Sequence, residues 1–130
     1  MINKDTVSTP ELSYLGDAVI ELLVRERLIE KGVRGSGELN SEARAYITAG
    51  AQAKAAARIL DLLDEKEEGV YRRARNSHTG HVPKSAQIAE YRAATALEAL
   101  FGYLKIENRE ERMRELFLVA YPENKENNEV

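Results

Sequence analysis

A chain of 130 residues with 43% hydrophobic and 32% charged content fits one soluble domain, able to bury about two-thirds of its unfolded surface without staples. It has no cysteine, which excludes disulfides, thiolate metal sites and cysteine nucleophiles. Its formal net charge of −3 argues against a broadly basic nucleic-acid binder, although a local basic surface can meet phosphates while the acids lie elsewhere.

The first residues, Met1-Ile2-Asn3-Lys4-Asp5, lack the basic-then-apolar pattern of a signal peptide. No apolar run approaches the roughly 18–20 residues that span a bilayer. The expectation is a soluble cytoplasmic protein with no membrane partner. Residues 1–8 read as a short extension, 9–121 as the domain, and 122–130 as a polar tail expected to be disordered.

Alanine, leucine, glutamate and arginine dominate, and the β-branched and aromatic runs of strands are missing, so the fold class expected is all-α. Ser8-Thr9-Pro10-Glu11 marks a helix start, either with Thr9 as N-cap before Pro10 or with Ser8 and Glu11 as a capping box. Leu12, Leu15, Val19, Leu22 and Leu23 then recur at helical spacing, to about Lys31 and the stop at Gly32. Periodicity leaves open whether Leu15, Val19 and Leu22 face the core or a dimer seam. The glycine-rich segment 32–37 reads as a loop. A helical region spans about Glu38 to Leu63, broken near Thr48-Ala49-Gly50. Glu65 to Arg75 forms the next helix. A polar loop, Asn76 to Lys84, leads to a long helix from Gln87 to Leu104. A last helix runs from Asn108, a plausible N-cap, to Val119.

Two helices carry acids next to glycines: Ser13-Tyr14-Leu15-Gly16-Asp17 in the first, and Thr95-Ala96-Leu97-Glu98 followed by Gly102 in the long one. A glycine inside a helix costs about 1 kcal/mol relative to alanine, and close helix–helix approach is the reason that best offsets it. Ser13 with Asp17, and Thr95 with Glu98, each share one helix face. Helices crossing at these glycines would bring Asp17 and Glu98 together. Two close carboxylates must share a proton or bind a cation. An oxygen-rich site with few carboxylates and several waters suits Mg²⁺, and the hydroxyls of Ser13 and Thr95 are placed to hold such waters. From spacing alone, acids that are simply solvated or paired with arginines remain an alternative. His78 and His81, without cysteines, do not make a zinc site. Arg25, Arg27, Arg34 and Arg44 read most simply as solvated charges, Arg44 lying near a glycine loop able to reach a phosphate.

The segment Leu12 to Leu22, with Leu15-Gly16-Asp17 after an aromatic residue, resembles the signature helix of ribonuclease III. Leu97-Glu98-Ala99-Leu100-Phe101-Gly102 resembles that family's second acidic motif. Arg75-Asn76-Ser77-His78-Thr79-Gly80-His81-Val82-Pro83-Lys84 and Tyr91-Arg92-Ala93-Ala94-Thr95 are similar to segments of its bacterial Mini-ribonuclease III subgroup, which has the catalytic domain without an appended double-stranded-RNA-binding domain. The resemblance covers about residues 9–121. It implies a ribonuclease III-like helical fold and a metal-dependent endoribonuclease that hydrolyses double-stranded RNA in ribosomal RNA maturation. It also implies Mg²⁺, with Mn²⁺ as substitute, held by Asp17 and Glu98, and a homodimer that cuts both strands. The fuller family places four acids round its metal. Here Ser13 and Thr95 stand at two of those positions, a trait of the subgroup that halves the protein charge facing the ion.

With no second RNA-binding domain, substrate contacts must come from this one. A-form RNA is read through its shape, phosphates and 2′-hydroxyls. The candidates are Arg72, Arg73, Arg75, Asn76, His78 and Lys84, on or beside the polar loop; a merely solvated basic surface is the alternative. A catalytically inactive relative that binds structured RNA, and a helical protein–protein adaptor, are the competing functions.

Overall fold

A computed structural model describes residues 1–77 and 87–123. Six α-helices and one 3₁₀ turn make up the regular structure of these residues: α1 (Thr9–Glu30), α2 (Ser36–Ile47), α3 (Ala49–Ile59), the 3₁₀ turn Leu60–Leu62, α4 (Glu65–Arg75), α5 (Ile88–Ile106) and α6 (Glu110–Ala120). The expected all-α class is the one observed.

Local chemistry sets most boundaries. At the start of α1, Ser8 rather than Thr9 is the N-cap: its hydroxyl accepts from the Glu11 amide while Glu11 accepts from the Ser8 amide. Gly32 and Gly35 take positive φ values, 86° and 88°, which an L side chain adopts only with strain. The loop is shorter than expected, because Gly37 already lies within α2. Thr48 is extended between α2 and α3 and its hydroxyl caps α3 by accepting from Ala51 N, so the break falls where the sequence suggests. Asp64 and Glu67 form a second capping box at α4. Asn108 is not the cap of α6. It sits at φ 57° in the turn after α5, a conformation asparagine tolerates, and α6 begins past Arg109.

The central element is α5, packed against α1, α3, α4 and α6. Its Leu97, Leu100, Phe101 and Leu104 are fully buried, as a helix apolar on most of its circumference must be. Around it lie Ile20, Val24 and Leu28 of α1, Ala55, Ala56 and Ile59 of α3, Val70 and Tyr71 of α4, and Leu116 and Phe117 of α6. The first helix divides its apolar residues: Val19 joins this core, Leu15 is half-buried, and Leu22 is exposed.

Two buried charges tie distant elements together. Arg27, expected to be solvated, is only 6% exposed. Its guanidinium donates to the carbonyl of Tyr121 and lies 4.7 Å from the Phe117 ring centroid. Arg58 donates to the Ala120 carbonyl at 2.8 Å, so two arginines satisfy the carbonyls that α6 leaves open at its end. Glu67 of α4 is fully buried and accepts two 2.8 Å bonds from Arg112 of α6. No helix among the described residues is long and apolar enough to cross a membrane.

Candidate active site

The helices α1 and α5 touch backbone to backbone. A Cβ on Gly16 would lie 1.6 Å from the Glu98 carbonyl oxygen, and one on Gly102 would lie 2.0 Å from that of Leu12. Both are contacts only glycine permits. Ser13, itself buried, donates its hydroxyl to the Thr95 carbonyl at 3.1 Å and fixes the register of the pair. Its proton is thereby committed, leaving only lone pairs for anything in the cleft.

Beside this crossing opens a cleft of about 250 Å³ lined by Thr9, Pro10, Ser13, Tyr14, Asp17, Ser77, Tyr91, Thr95 and Glu98. The four residues singled out from the two motifs are therefore brought together on its walls. Asp17 stands exposed at the rim, while Glu98 is half-buried and within hydrogen-bonding reach of it. Burial raises the Glu98 pKa; the Asp17 charge and the hydrogen bond with Asp17 raise it further, and a hydrogen bond from Gln52 partly opposes them. The net result is a carboxyl pushed up to about 7. Without a cation, a proton on Glu98 lowers its repulsion with Asp17.

That donor set fits a hard divalent ion. Two carboxylates converge from different helices, with the oxygens of Ser13 and Thr95 on the same walls. Among the described residues, no group of three or more His, Cys, Asp or Glu is arranged to hold a metal. An ion here would keep much of its water shell, as Mg²⁺ does readily.

Gln52 was not legible as a site residue. It lies on α3 and is 4% exposed, in the same buried face as Ala55, Ala56 and Ile59. The available signal is an amide at core spacing in an alanine-rich helix, which marks burial without naming its partner. Ser77 and Tyr91 also line the cleft; both fall in the segments similar to the subgroup, although the sequence singles out neither as a site residue.

The described basic candidates sit at one end of α4. Arg72, Arg73 and Arg75 occupy the last turn of α4, Asn76 is its C-cap, and all four are exposed. The next residue, Ser77, lines the cleft. Arg72 pairs with Glu68 at 3.2 Å across one exposed helical turn, a contact too weak to withhold it from a phosphate. His78 and Lys84 lie outside the described residues, as does His81.

Residues 10–109 match the ribonuclease III domain family. The chain belongs to that family. It falls in the Mini-ribonuclease 3 branch, within a family of RNA-cleaving hydrolases. It is 42% identical to the Mini-ribonuclease 3 of Symbiobacterium thermophilum over 120 residues, 92% of each chain. With the Mini-ribonuclease 3 of Streptococcus pneumoniae it shares 37% identity over 89% of this chain and 92% of that one. A crystal structure of a Fusobacterium nucleatum protein, 31% identical, superposes with a TM-score of 0.83 over 95% of this chain and 94% of that one. The ribonuclease III fold expected from the two motifs is thus the fold present.

Proposed function

We propose that this ribonuclease III-family chain is a Mg²⁺-dependent endoribonuclease that hydrolyses double-stranded RNA, acting as a homodimer in ribosomal RNA maturation. The observation that carries the reading is the meeting of Asp17 and Glu98 across one cleft, from helices held together by glycines. Nothing in folding stability calls for two acids sharing a cleft; a cation would turn their repulsion into attraction.

Asp17 and Glu98 would hold the ion from opposite walls, with Mn²⁺ as a substitute. When bound, it supplies a Lewis acid that activates water and neutralises charge at the phosphodiester. The protein's own part is positional. The lone pairs of Ser13 and the hydroxyl of Thr95 orient water at the cleft wall, which Tyr91 and Pro10 help to line. No histidine or lysine is among the described residues of the cleft, and with water activated by the ion none need act as base.

Substrate is held by the exposed arginines at the end of α4 and by Asn76, with His78 and Lys84, outside the described residues, as further candidates from the sequence. Their charges meet backbone phosphates beside the cleft, the non-sequence-specific grip expected for A-form RNA. Dimerisation has a surface available: α1 exposes Tyr14 at 85%, Leu22 at 58% and Ile29 at 67%. A two-fold pair of clefts suits a duplex whose strands are related by the same symmetry.

The test is incubation of the protein with long double-stranded RNA, with single-stranded RNA and duplex DNA as controls, with and without Mg²⁺. The expected result is metal-dependent cleavage of the RNA duplex that disappears in Asp17→Asn. Duplex RNA bound but never cut at any metal concentration would replace the nuclease with an RNA-binding relative.

A further inference from the structure

The cleft carries more hydroxyls than a divalent-cation site uses, and most of them are spoken for or unrestrained. Ser13 gives its proton to the Thr95 carbonyl at 3.1 Å, and Ser77 gives its own to the Ala74 carbonyl at 2.9 Å. Tyr14 is 85% exposed, so its ring stands in solvent. Tyr91 is held differently. It lines the cleft from α5, one turn before Thr95 and two turns before Glu98, so that the three follow one face of the helix. Its side chain is half-buried and thereby restrained, yet its hydroxyl makes no hydrogen bond with another described residue. A tyrosine hydroxyl that packing holds in place ordinarily has a partner. Here the space it shares with both acids is the cleft itself.

From this arrangement we infer that Tyr91 contacts the substrate and selects RNA, its phenol sharing a hydrogen bond with a ribose 2′-hydroxyl beside the scissile phosphate. The inference rests on the cleft being a nuclease site for duplex RNA and deepens that reading by naming what tells RNA from DNA there. The chemistry of the walls separates the partners a phenol could take. A phosphate entering the cleft approaches the carboxylates of Asp17 and Glu98, and what holds it against their repulsion is the charge of the ion or of an arginine. A neutral phenol adds little to that. The ribose hydroxyl is itself neutral and both donates and accepts, as a phenol does, so the two match whichever way the proton lies. It is also carried on the sugar next to the bond that is cut, so a phosphate brought to the acids brings this hydroxyl with it. Tyr91 stands about 10 Å from Glu98 along the axis of α5. That offset suits a neighbouring sugar rather than the reacting phosphorus, and it leaves Tyr91 outside the chemical step.

The experiment compares the full chain with Tyr91→Phe, which removes the hydroxyl alone, on a duplex RNA whose cut position has been mapped with the wild type. The same duplex is also made with a single 2′-deoxy substitution at each nucleotide flanking that position. The melting temperature of each protein and kcat/KM at saturating Mg²⁺ are read. For the wild type, one of the deoxy substitutions is expected to lower kcat/KM by about 3–10-fold, the size of one neutral hydrogen bond. Tyr91→Phe should melt as the wild type does, lose about as much on the unmodified duplex, and lose nothing further from that one substitution. A variant that cuts the unmodified duplex as the wild type does overturns the inference. So does one whose loss multiplies with that of every deoxy substitution, the result expected if the phenol meets a phosphate instead. A lowered melting temperature, or a variant that does not fold, would mean that the hydroxyl is committed within the protein, and overturns it as well. The wild type separates these failures from that of the nuclease reading. If it cuts duplex RNA and is blind to every deoxy substitution, the role of Tyr91 falls and the nuclease stands; if it cuts no duplex RNA with any divalent ion, both fall.

Discussion

Gly16 packs directly on the backbone of Glu98: a side-chain carbon on the first would stand 1.6 Å from the backbone oxygen of the second. The geometry of the cleft follows from that contact. Asp17 is the residue after Gly16, so the closest approach of α1 to α5 is also the place where the two acids face one cleft. A small shift of either helix would part the carboxylates before it exposed much of the core.

Gly16→Ala should therefore destabilise the fold by about 3 kcal/mol or more, because the clashing atom is backbone and cannot rotate away. Gly37→Ala is the matched control. It too lies in a helix, but nothing stands within 4 Å of the added carbon, so a gain of about 0.4–1 kcal/mol is expected. Urea unfolding of the two variants checks both signs. A Gly16→Ala protein of wild-type stability would mean that the helices do not meet where they are placed.

The raised pKa of Glu98 makes stability fall with rising pH. In the folded, metal-free protein this carboxyl titrates at about 7 against an ordinary 4.5. Between those values the native state keeps a proton that the unfolded chain has released. The stabilisation is complete below about pH 4.5, is lost as pH climbs to about 7, and stays level above. Screening in a cleft that is partly open limits the loss to about 1–2 kcal/mol. Denaturant unfolding at pH 5 and pH 8 in the presence of a chelator should show it. Glu98→Gln should flatten the profile and be the more stable protein at pH 8, while cutting no RNA. Asp17→Asn should likewise abolish cleavage without loss of stability. An active Asp17→Asn enzyme contradicts the site.

Much of this arrangement is legible from local pattern. Gly16 and Gly102 are costly in a helix interior and so announce a close approach; the capping residues Ser8 and Thr48 mark where helices begin. What pattern does not carry is the partner of a polar residue across the fold. Arg27 reads as a surface charge because its neighbours in sequence are charged. Its burial depends on Phe117 and Tyr121, which arrive from the far end of the chain. Gln52 reads as a core position, but nothing local says that Glu98 is what it meets. Asn108 has the composition of an N-cap and the conformation of a turn, since α5 runs two residues past its expected end and uses it to reverse direction.

Glu67 offers a stability prediction independent of the cleft. Burial opposes its charge, but hydrogen bonds from Arg112 and the backbone of the capping box prevail and hold its carboxyl below the ordinary range. Its contribution is thus present above about pH 4.5 and lost in more acidic solution, the opposite sense to Glu98. Glu67→Ala leaves Arg112 without its buried acceptor and should cost about 3–5 kcal/mol. Glu67→Gln, which keeps the capping hydrogen bonds, should cost less and blunt the acid limb. Unfolding curves between pH 3 and pH 7 distinguish these outcomes. Equal stability of Glu67→Ala and the wild type would show that the pair is replaceable by water.

The basic surface is tested by salt. Each Lys or Arg that neutralises a phosphate releases counterions, so its removal lowers the slope of log affinity against log salt by about one. Arg73→Ala and Lys84→Ala, measured on duplex RNA in the Asp17→Asn background so that nothing is cut, should each weaken binding and flatten that slope. Arg114, which faces Glu26 on the outer side of α1 and α6, should leave the slope unchanged when replaced by alanine. The contrast separates contact from net charge, because all three substitutions remove one positive charge from a chain whose total is −3. If Arg114→Ala flattened the slope as much as Arg73→Ala, RNA would be attracted by the protein's overall field and the end of α4 would hold no special place in binding.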